Sequence, residues 1–458
     1  MLVSSENIAL IGFDSLNVRA CLDRGVNVRW AMIFPNKDTP KFEFEFEYDN
    51  YKLFQNFSFS VKEGVPLDDS QCIDIWDQGF EVFRRHYFRM KFPQYKEIRQ
   101  WNDVNNLFHM YAQFFNKRLI ENKIDILFFM NIPHEGPLYV LYSVARALKI
   151  KTYVTKPGPH PCTLWIADGL EDFGTFETVQ GAQKSYDLVS EPETPFYMKW
   201  KDVQNNRRFV RSKYSVELFK YVCKFALGAS LWNKKSLSRS FERILSIHDK
   251  FTIIADRKSV NLDALTQNKY VYFALHRQPE CSADTQGHEY GDQLYAVERL
   301  RFILPASVTI IVKENPKQVR HARPDSFFSR LELLENVRYV PSDAPTYELI
   351  RKSEFVATLA GTVGFESLVL GKAVIIFGDA WYSSLPGCFR YSPNIDVTSL
   401  MKFNHNREAL ESAYTELTKK LYPGVVEEAF AGIPDPDPLE YCKLNADTVF
   451  RITHRKLE

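Results

Sequence analysis

The chain runs to 458 residues, of which 45% are hydrophobic and 25% charged. That is more than a single core ordinarily serves and too apolar for a disordered protein. Lys plus Arg number 58 against 57 Asp plus Glu, so no global field points to nucleic acid as a partner.

In chain order, the apolar spacing predicts a strand at 7–12, a helix at 15–24 and a strand at 26–34, a βαβ opening. Gly12 ends the first strand and no GxGxxG follows, which disfavours an NAD-dependent enzyme. The alternation Phe42-Glu-Phe-Glu-Phe-Glu-Tyr48 suits an edge strand with one wet face. Residues 80–121 read as helical. A second unit follows, with a strand at 124–130, the loop Asn131-Ile-Pro-His-Glu-Gly136, a helix at 137–148 and a strand at 151–154. Residues 185–262 lose strand character and carry scattered Lys and Arg, as helices with a solvated face or a basic surface for anionic glycan or lipid would.

The α/β alternation then restarts. Strands are expected at 270–275, 308–313, 337–340, 355–359 and 373–377, with helices at 290–304, 344–351 and 363–370. Pro434, Pro436 and Pro438 stiffen the approach to a last helix at 439–452, which can cross back to the first lobe. The expected division is a first lobe at 1–184, a helical linker or insertion at 185–262, a second lobe at 263–435 and a terminal helix at 436–458. This is an α/β architecture of two lobes with a cleft between them.

Aromatic residues, at 14%, are the compositional outlier and serve either cores or the stacking of sugars and bases. Seven cysteines (Cys21, Cys72, Cys162, Cys223, Cys281, Cys388, Cys442) stand singly, with no CxxC pair or zinc-site spacing. The first residues lack a signal peptide's basic flank and apolar stretch, and no window reaches the roughly 18 apolar residues of a membrane span. The expectation is a cytoplasmic protein with reduced thiols and no metal, with peripheral seating on the inner membrane left open.

Three expected strands of the second half end in polar clusters of the kind that hold ligands in open α/β sheets. Tyr272-Phe-Ala-Leu-His-Arg-Gln-Pro-Glu280 stops at His276, Arg277, Gln278 and Glu280. The strand from Val308 ends in Lys313-Glu-Asn-Pro316, where Lys313 suits a phosphate. In Ala360-Gly-Thr-Val-Gly-Phe-Glu366, Gly361 and Gly364 permit close backbone approach, and the N–H groups of the helix start attract an anion. Thr362 adds a hydroxyl there, and Glu366 suits the paired hydroxyls of a ribose. Each run also reads as an ordinary strand end or tight turn. In the first half, His134 and Glu135 are the right types for acid–base work or a carboxylate nucleophile, while Glu135 equally complements the dipole of the helix it precedes. Asp168, Glu171 and Asp172 form a second carboxylate cluster.

Together with Asp292-Gln293 and Gly371-Lys372, these runs resemble the capsule polysaccharide synthesis proteins of bacteria, a family that includes retaining β-Kdo glycosyltransferases using CMP-Kdo. The likeness is strongest over residues 270–385 and looser around the 131–136 loop. It implies a GT-B-like fold of two Rossmann-like lobes, with the second holding the nucleotide sugar. His276, Arg277, Gln278 and Glu280 would then bind the donor, Lys313 and Asn315 its phosphate, Gly361, Thr362 and Gly364 the phosphate through backbone and hydroxyl, and Glu366 the ribose. Catalysis would need no metal and no cofactor beyond the donor. Glu135, beside His134, is the first carboxylate expected at the sugar and Asp168 the second. Where the family motif reads Lys-Glu-His-Pro, this chain has Asn315, which can donate to a phosphate oxygen but cannot carry a proton.

The function implied is transfer of an acidic sugar, Kdo from CMP-Kdo with retention, to a bacterial surface polysaccharide or its lipid-linked precursor. Its partners would be a nucleotide sugar and a glycan or glycolipid acceptor. Two alternatives stay open. One keeps the fold with a UDP- or GDP-sugar or CDP-polyol donor, and the other is a non-catalytic nucleotide- or glycan-binding component of capsule assembly.

Overall fold

Short, unbroken apolar runs bounded by turn residues become parallel strands covered on both faces, and such runs recur along this chain. The computed structural model describes residues 6–34, 42–56, 67–89, 101–177, 181–192 except 183, 267–433 except 279, 317, 319–322, 324 and 341, and 436–454. Of the 185–262 region expected to be helical, all beyond 192 lies outside the described residues.

The elements are β1 (Ile8–Phe13), α1 (Ser15–Asp23), β2 (Val28–Ile33), β3 (Glu47–Asn50), α2 (Lys52–Asn56), α3 (Asp69–Arg89), α4 (Trp101–Glu121), β4 (Ile126–Phe129), α5 (Gly136–Ala147), β5 (Lys151–Pro157) and β6 (Thr163–Ala167). After them come β7 (Tyr270–Ala274), α6 (Cys281–Asp284), α7 (Gln293–Ile303), β8 (Thr309–Lys313), α8 (Asp325–Glu332), β9 (Val337–Val340), α9 (Thr346–Lys352), β10 (Val356–Thr358), α10 (Thr362–Val369), β11 (Val374–Ile376), β12 (Cys388–Arg390) and α11 (Val397–Met401). The chain ends through α12 (Arg407–Thr418), β13 (Tyr422–Pro423) and α13 (Pro438–Thr453). Two units result, one of Met1–Asp187 with Glu411–Glu458 and the other of Leu188–Leu410. The second unit therefore ends earlier than the expected 435, and β13 and α13 belong to the first.

In the first unit the sheet order is β13-β6-β5-β4-β1-β2-β3, with β1 to β5 parallel, β6 reversed, and β13, antiparallel to β6, running again in the direction of the others. One face carries Leu10, Ala31, Phe128 and Ile166 against Val18 and Cys21 of α1 and Ala446, Val449 and Ile452 of α13. Asn445 of α13 ties the return together. Its amide donates to Asn17 Oδ1 at 2.8 Å and to Val425 O at 3.0 Å, while its Oδ1 accepts from Val425 N at 2.8 Å. The aromatic excess is largely core: Phe54, Phe83, Phe108, Tyr111 and Phe115 are fully buried around α2, α3 and α4. The Phe–Glu alternation joins the sheet only at β3, an edge strand as expected, while the rings of Phe42, Phe44 and Phe46 meet in tilted contacts ahead of it.

The second unit's sheet has the order β12-β11-β10-β7-β8-β9, all parallel. From β7 the chain steps outward through β8 to β9, then returns to the other side of β7 for β10 to β12. That reversal puts a topological switch point at the carboxyl ends of β7 and β10. Alternate residues Val271, Phe273, Ile310, Val312, Ala357 and Ile375 enter the core beneath Leu294, Val297 and Leu300 of α7. Strand parity sends Tyr272, Lys313 and Thr358 to the opposite face.

Candidate nucleotide-type site at the switch point of the second unit

The three polar strand ends read from the sequence come together because β10, β7 and β8 are neighbours and parallel. His276 follows β7, Lys313 closes β8 and the Gly361 turn follows β10. His276 is buried, and its Nε2 accepts the Ala360 N–H at 3.3 Å. A Cβ on Gly361 would stand 3.2 Å from that imidazole and 3.1 Å from Thr358 Oγ1, so the turn sits close over His276. At the α10 start Gly361 is the N-cap residue, and Thr362 is exposed on the first turn.

Gly364 has a different duty. Its N–H donates to Gly361 O at 3.0 Å, and a Cβ there would fall 2.0 Å from Tyr382 Oη. The Tyr382 hydroxyl in turn donates to Gly361 O at 2.5 Å. This glycine is thus required by a tyrosine packed against the helix rather than by a ligand.

Lys313 is only 4% exposed, and Glu366 on α10 is half-buried within its electrostatic reach. Burial pushes the Glu366 carboxyl up to about 7 against the pull of Lys313. The Lys313 ammonium is pushed down by burial to about 8, with Glu314, Asp343 and Glu366 opposing. Tyr272, Tyr347 and Tyr382 are coupled to the same carboxylate. Two opposite charges set among tyrosine rings at a switch point can hold a ligand that offers hydroxyls to one and negative charge to the other.

The rest of the predicted cluster serves as framework. Gln278 Nε2 donates to Gly291 O at 2.6 Å, and its Oε1 accepts from Gln293 at 3.0 Å and Arg323 at 3.4 Å. Its backbone N–H and carbonyl are both taken by Gln318. Glu314 is held by Arg323 through bonds of 2.7 and 2.9 Å and by Tyr339 Oη at 3.0 Å. Arg323, which the sequence reading missed, also donates to His276 O at 2.7 Å and so braces the loop that presents the imidazole. Asn315 opens a turn in which its N–H meets the Glu314 carboxylate and its carbonyl meets Gln318 N. Arg277 and Glu280 are exposed, with Glu280 the N-cap residue of α6.

In the first unit, His134 and Glu135 stand beyond the carboxyl end of β4. Glu135 is the N-cap residue of α5 and makes no side-chain capping bond. The His134 Nδ1 lies 2.7 Å from Ile132 O, and its Nε2 is 4.0 Å from Glu135 Oε1. Asp168 does not join them. Because β6 runs antiparallel to β5, its end points back toward the amino edge of the sheet, where Thr152 Oγ1 meets Asp168 O and Glu171 pairs with Arg146 near the end of α5. Positions 135 and 146 are separated by about 16 Å of helix at 1.5 Å per residue. Burial raises the Asp168 carboxyl, with Lys151 and Arg146 opposing. Among the described residues no cluster of three or more His, Cys, Asp or Glu is arranged to hold a metal ion, and no helix is long and apolar enough to cross a membrane.

Two α/β units, one with a charged pair at its switch point, place the chain in the two-lobed α/β class. Residues 285–401 match the family model described as capsule polysaccharide biosynthesis protein, which bears out the resemblance over that stretch. Lys313, Asn315, Gly361, Thr362, Gly364 and Glu366 fall inside it; His276 and Gln278 precede it. No curated protein sequence matches the chain. Among solved structures, a Thermosulfurimonas dismutans KpsC β-Kdo 2,7 transferase is similar at 12% identity over 69% of this chain and 84% of its own, with a TM-score of 0.30. The β-Kdo 2,4 transferase of the same KpsC gives 13%, 65%, 79% and 0.30. The UDP-GlcNAc 2-epimerase of Methanocaldococcus jannaschii gives 11%, 90%, 97% and 0.27. At these TM-scores the structural likenesses carry no weight for the activity of this chain.

Proposed function

We propose that the protein is a glycosyltransferase of capsule polysaccharide synthesis that transfers an acidic sugar, Kdo from CMP-Kdo, with retention, to a surface polysaccharide or its lipid-linked precursor. The observation that carries the reading is the Lys313–Glu366 pair beside the Gly361 turn, at a switch point and inside the family-matched segment. In this reading Glu366 accepts from the ribose hydroxyls. Lys313, the Thr362 hydroxyl and the first N–H groups of α10 offset the charge left on the CMP phosphate as its bond to the sugar breaks. The chemistry is assigned no metal. Glu135 is the carboxylate assigned to the sugar's anomeric carbon, with His134 beside it. Asp168, on the opposite edge of its sheet, is not carried into the mechanism. The work is assigned to the cytoplasmic side of the membrane, where nucleotide sugars are supplied.

Incubation with CMP-Kdo and capsule-type acceptors should release CMP, and Glu366→Ala should weaken CMP binding at least tenfold by calorimetry. Preference for UDP, GDP or CDP over CMP in the same titration would move the donor assignment. Binding without turnover across acceptors would favour a non-catalytic component, which Asn315 keeps in view. If Glu135 is the reacting carboxylate, Glu135→Gln should lower turnover at least 100-fold and leave CMP affinity unchanged; equal loss of both would remove it from that role.

A further inference from the structure

His288, Asp379 and Arg390 form a cluster that the nucleotide site does not use. Asp379 lies beyond β11, Arg390 closes β12, and His288 belongs to the segment leading into α7. The Asp379 carboxylate is 10% exposed and shared between two cations: His288 Nε2 lies 2.5 Å from Oδ2, and Arg390 Nη2 donates to Oδ1 at 2.7 Å. The two cationic side chains are half-exposed, at 46% and 54%. Buried acid and outward cations make a fork with its tines toward solvent.

The backbone is built to hold this fork. Gln286 clamps Asp379 from both sides, its carbonyl accepting the Asp379 N–H at 2.9 Å and its amide donating to Asp379 O at 2.8 Å. Two glycines permit the close backbone packing here: a Cβ on Gly378 would stand 2.3 Å from Gln286 O across the clamp, and one on Gly287 would stand 2.4 Å from Ala283 O within the turn that follows α6. His288 itself adopts φ 46°, a left-handed conformation that a non-glycine residue enters at a cost of about 1 kcal/mol or more. Half-exposed ion pairs return about 0–1 kcal/mol each, so local stability does not explain a histidine where glycine would be cheaper. The side chain is what the position requires. The bond to Asp379 raises the imidazole above the ordinary histidine range against burial, with Glu289 assisting and Arg390 opposing. Burial works to raise Asp379, but its bonds to His288 and Arg390 outweigh this and hold it below the usual carboxylate range.

The fork is also tied to the nucleotide-type site. The loop after β11 that carries Asp379 continues to Tyr382, whose hydroxyl bonds Gly361 O, and Gly287 packs 3.2 Å (as a built Cβ) from Leu359 at the end of β10. From this we infer that His288 and Arg390, spread by Asp379, form a second anion subsite that takes a carboxylate or phosphate substituent of the saccharide substrate, distinct from the nucleotide phosphate. It rests on the glycosyltransferase reading only for the identity of that substrate.

The test uses the full chain. Imidazole resonances of His288, assigned by loss in His288→Gln, are followed by NMR during titration with inorganic phosphate and with acetate. A saturable shift that is lost in Arg390→Gln and retained in Arg390→Lys is expected; no saturable shift at His288 with either anion overturns the subsite. Binding of CMP and CMP-Kdo to the same variants then identifies the source. A tenfold or greater loss for CMP-Kdo with CMP unchanged assigns the fork to the donor's carboxylate, whereas an anion response with both affinities unchanged assigns it to an acidic group on the acceptor. Should wild type bind neither nucleotide while the His288 response persists, the nucleotide reading fails and the subsite stands. Thermal melts matching wild type exclude misfolding as the cause.

Discussion

A lysine pushed down to about 8 still carries its proton at pH 7, and keeping it charged in the fold costs about 3 kcal/mol relative to an ordinary pKa of 10.5. Lys313→Met should therefore raise the unfolding free energy at pH 7 by about 3 kcal/mol while weakening nucleotide binding. The sign follows from proton counts. Between about 8 and 10.5 the unfolded chain holds a proton that the folded Lys313 has lost, so stability rises with pH and the penalty fades. Denaturant titrations at pH 7 and pH 10 should show the advantage of the variant falling to about 1 kcal/mol; an unchanged or negative difference at pH 7 would refute the account. The residue types of this pair were legible in the sequence, since strand ends and glycine turns are local patterns. Their burial was not, because it depends on Tyr272, Tyr347 and Tyr382 converging from separate elements. Gln278 shows the converse: a polar residue at a strand end looked like a ligand group and proved to be engaged by Gly291, Gln293, Gln318 and Arg323.

Among elements, the parallel strands were easiest to read, because a strand covered on both faces is a continuous apolar run, as at β7, β8 and β11. β6 escaped notice behind the loop Pro157-Gly-Pro-His-Pro161, and its reversed direction is what removes Asp168 from the edge that carries Glu135. β13 is two residues long and pairs with Leu164 and Thr163, far away in sequence, so no local period announces it. Its position depends on α13, and α13 depends on Asn445. Replacing Asn445 with Leu strips partners from the Val425 N–H and carbonyl and from Asn17, and should cost about 2–3 kcal/mol of unfolding free energy in denaturant melts. A loss below about 0.5 kcal/mol would mean that apolar packing of Val449 and Ile452 alone secures the helix.

For the molecule as a whole, the sequence disclosed two α/β halves but placed the return to the first at 436, whereas the chain re-enters that unit at Glu411. The difference arises because α12 and β13 carry no mark of which core they will join. One consequence concerns time. The first unit is interrupted by roughly 220 residues, which a ribosome needs about 10–45 s to add at 5–20 residues per second. Throughout that interval β6 lacks β13, and α1 shows Val18 and Cys21 without α13 to cover them. The second unit, uninterrupted in sequence, can close its core first. Nascent chains stalled after the second unit has cleared the ribosome, but before α13 has been made, should yield a protease-resistant fragment from Leu188–Leu410 and none from the first 187 residues. Equal resistance of both would show that the first unit folds without its last strand and helix. The part of the protein made first is thus the part finished last, and its exposed apolar face is where a chaperone would be expected to wait.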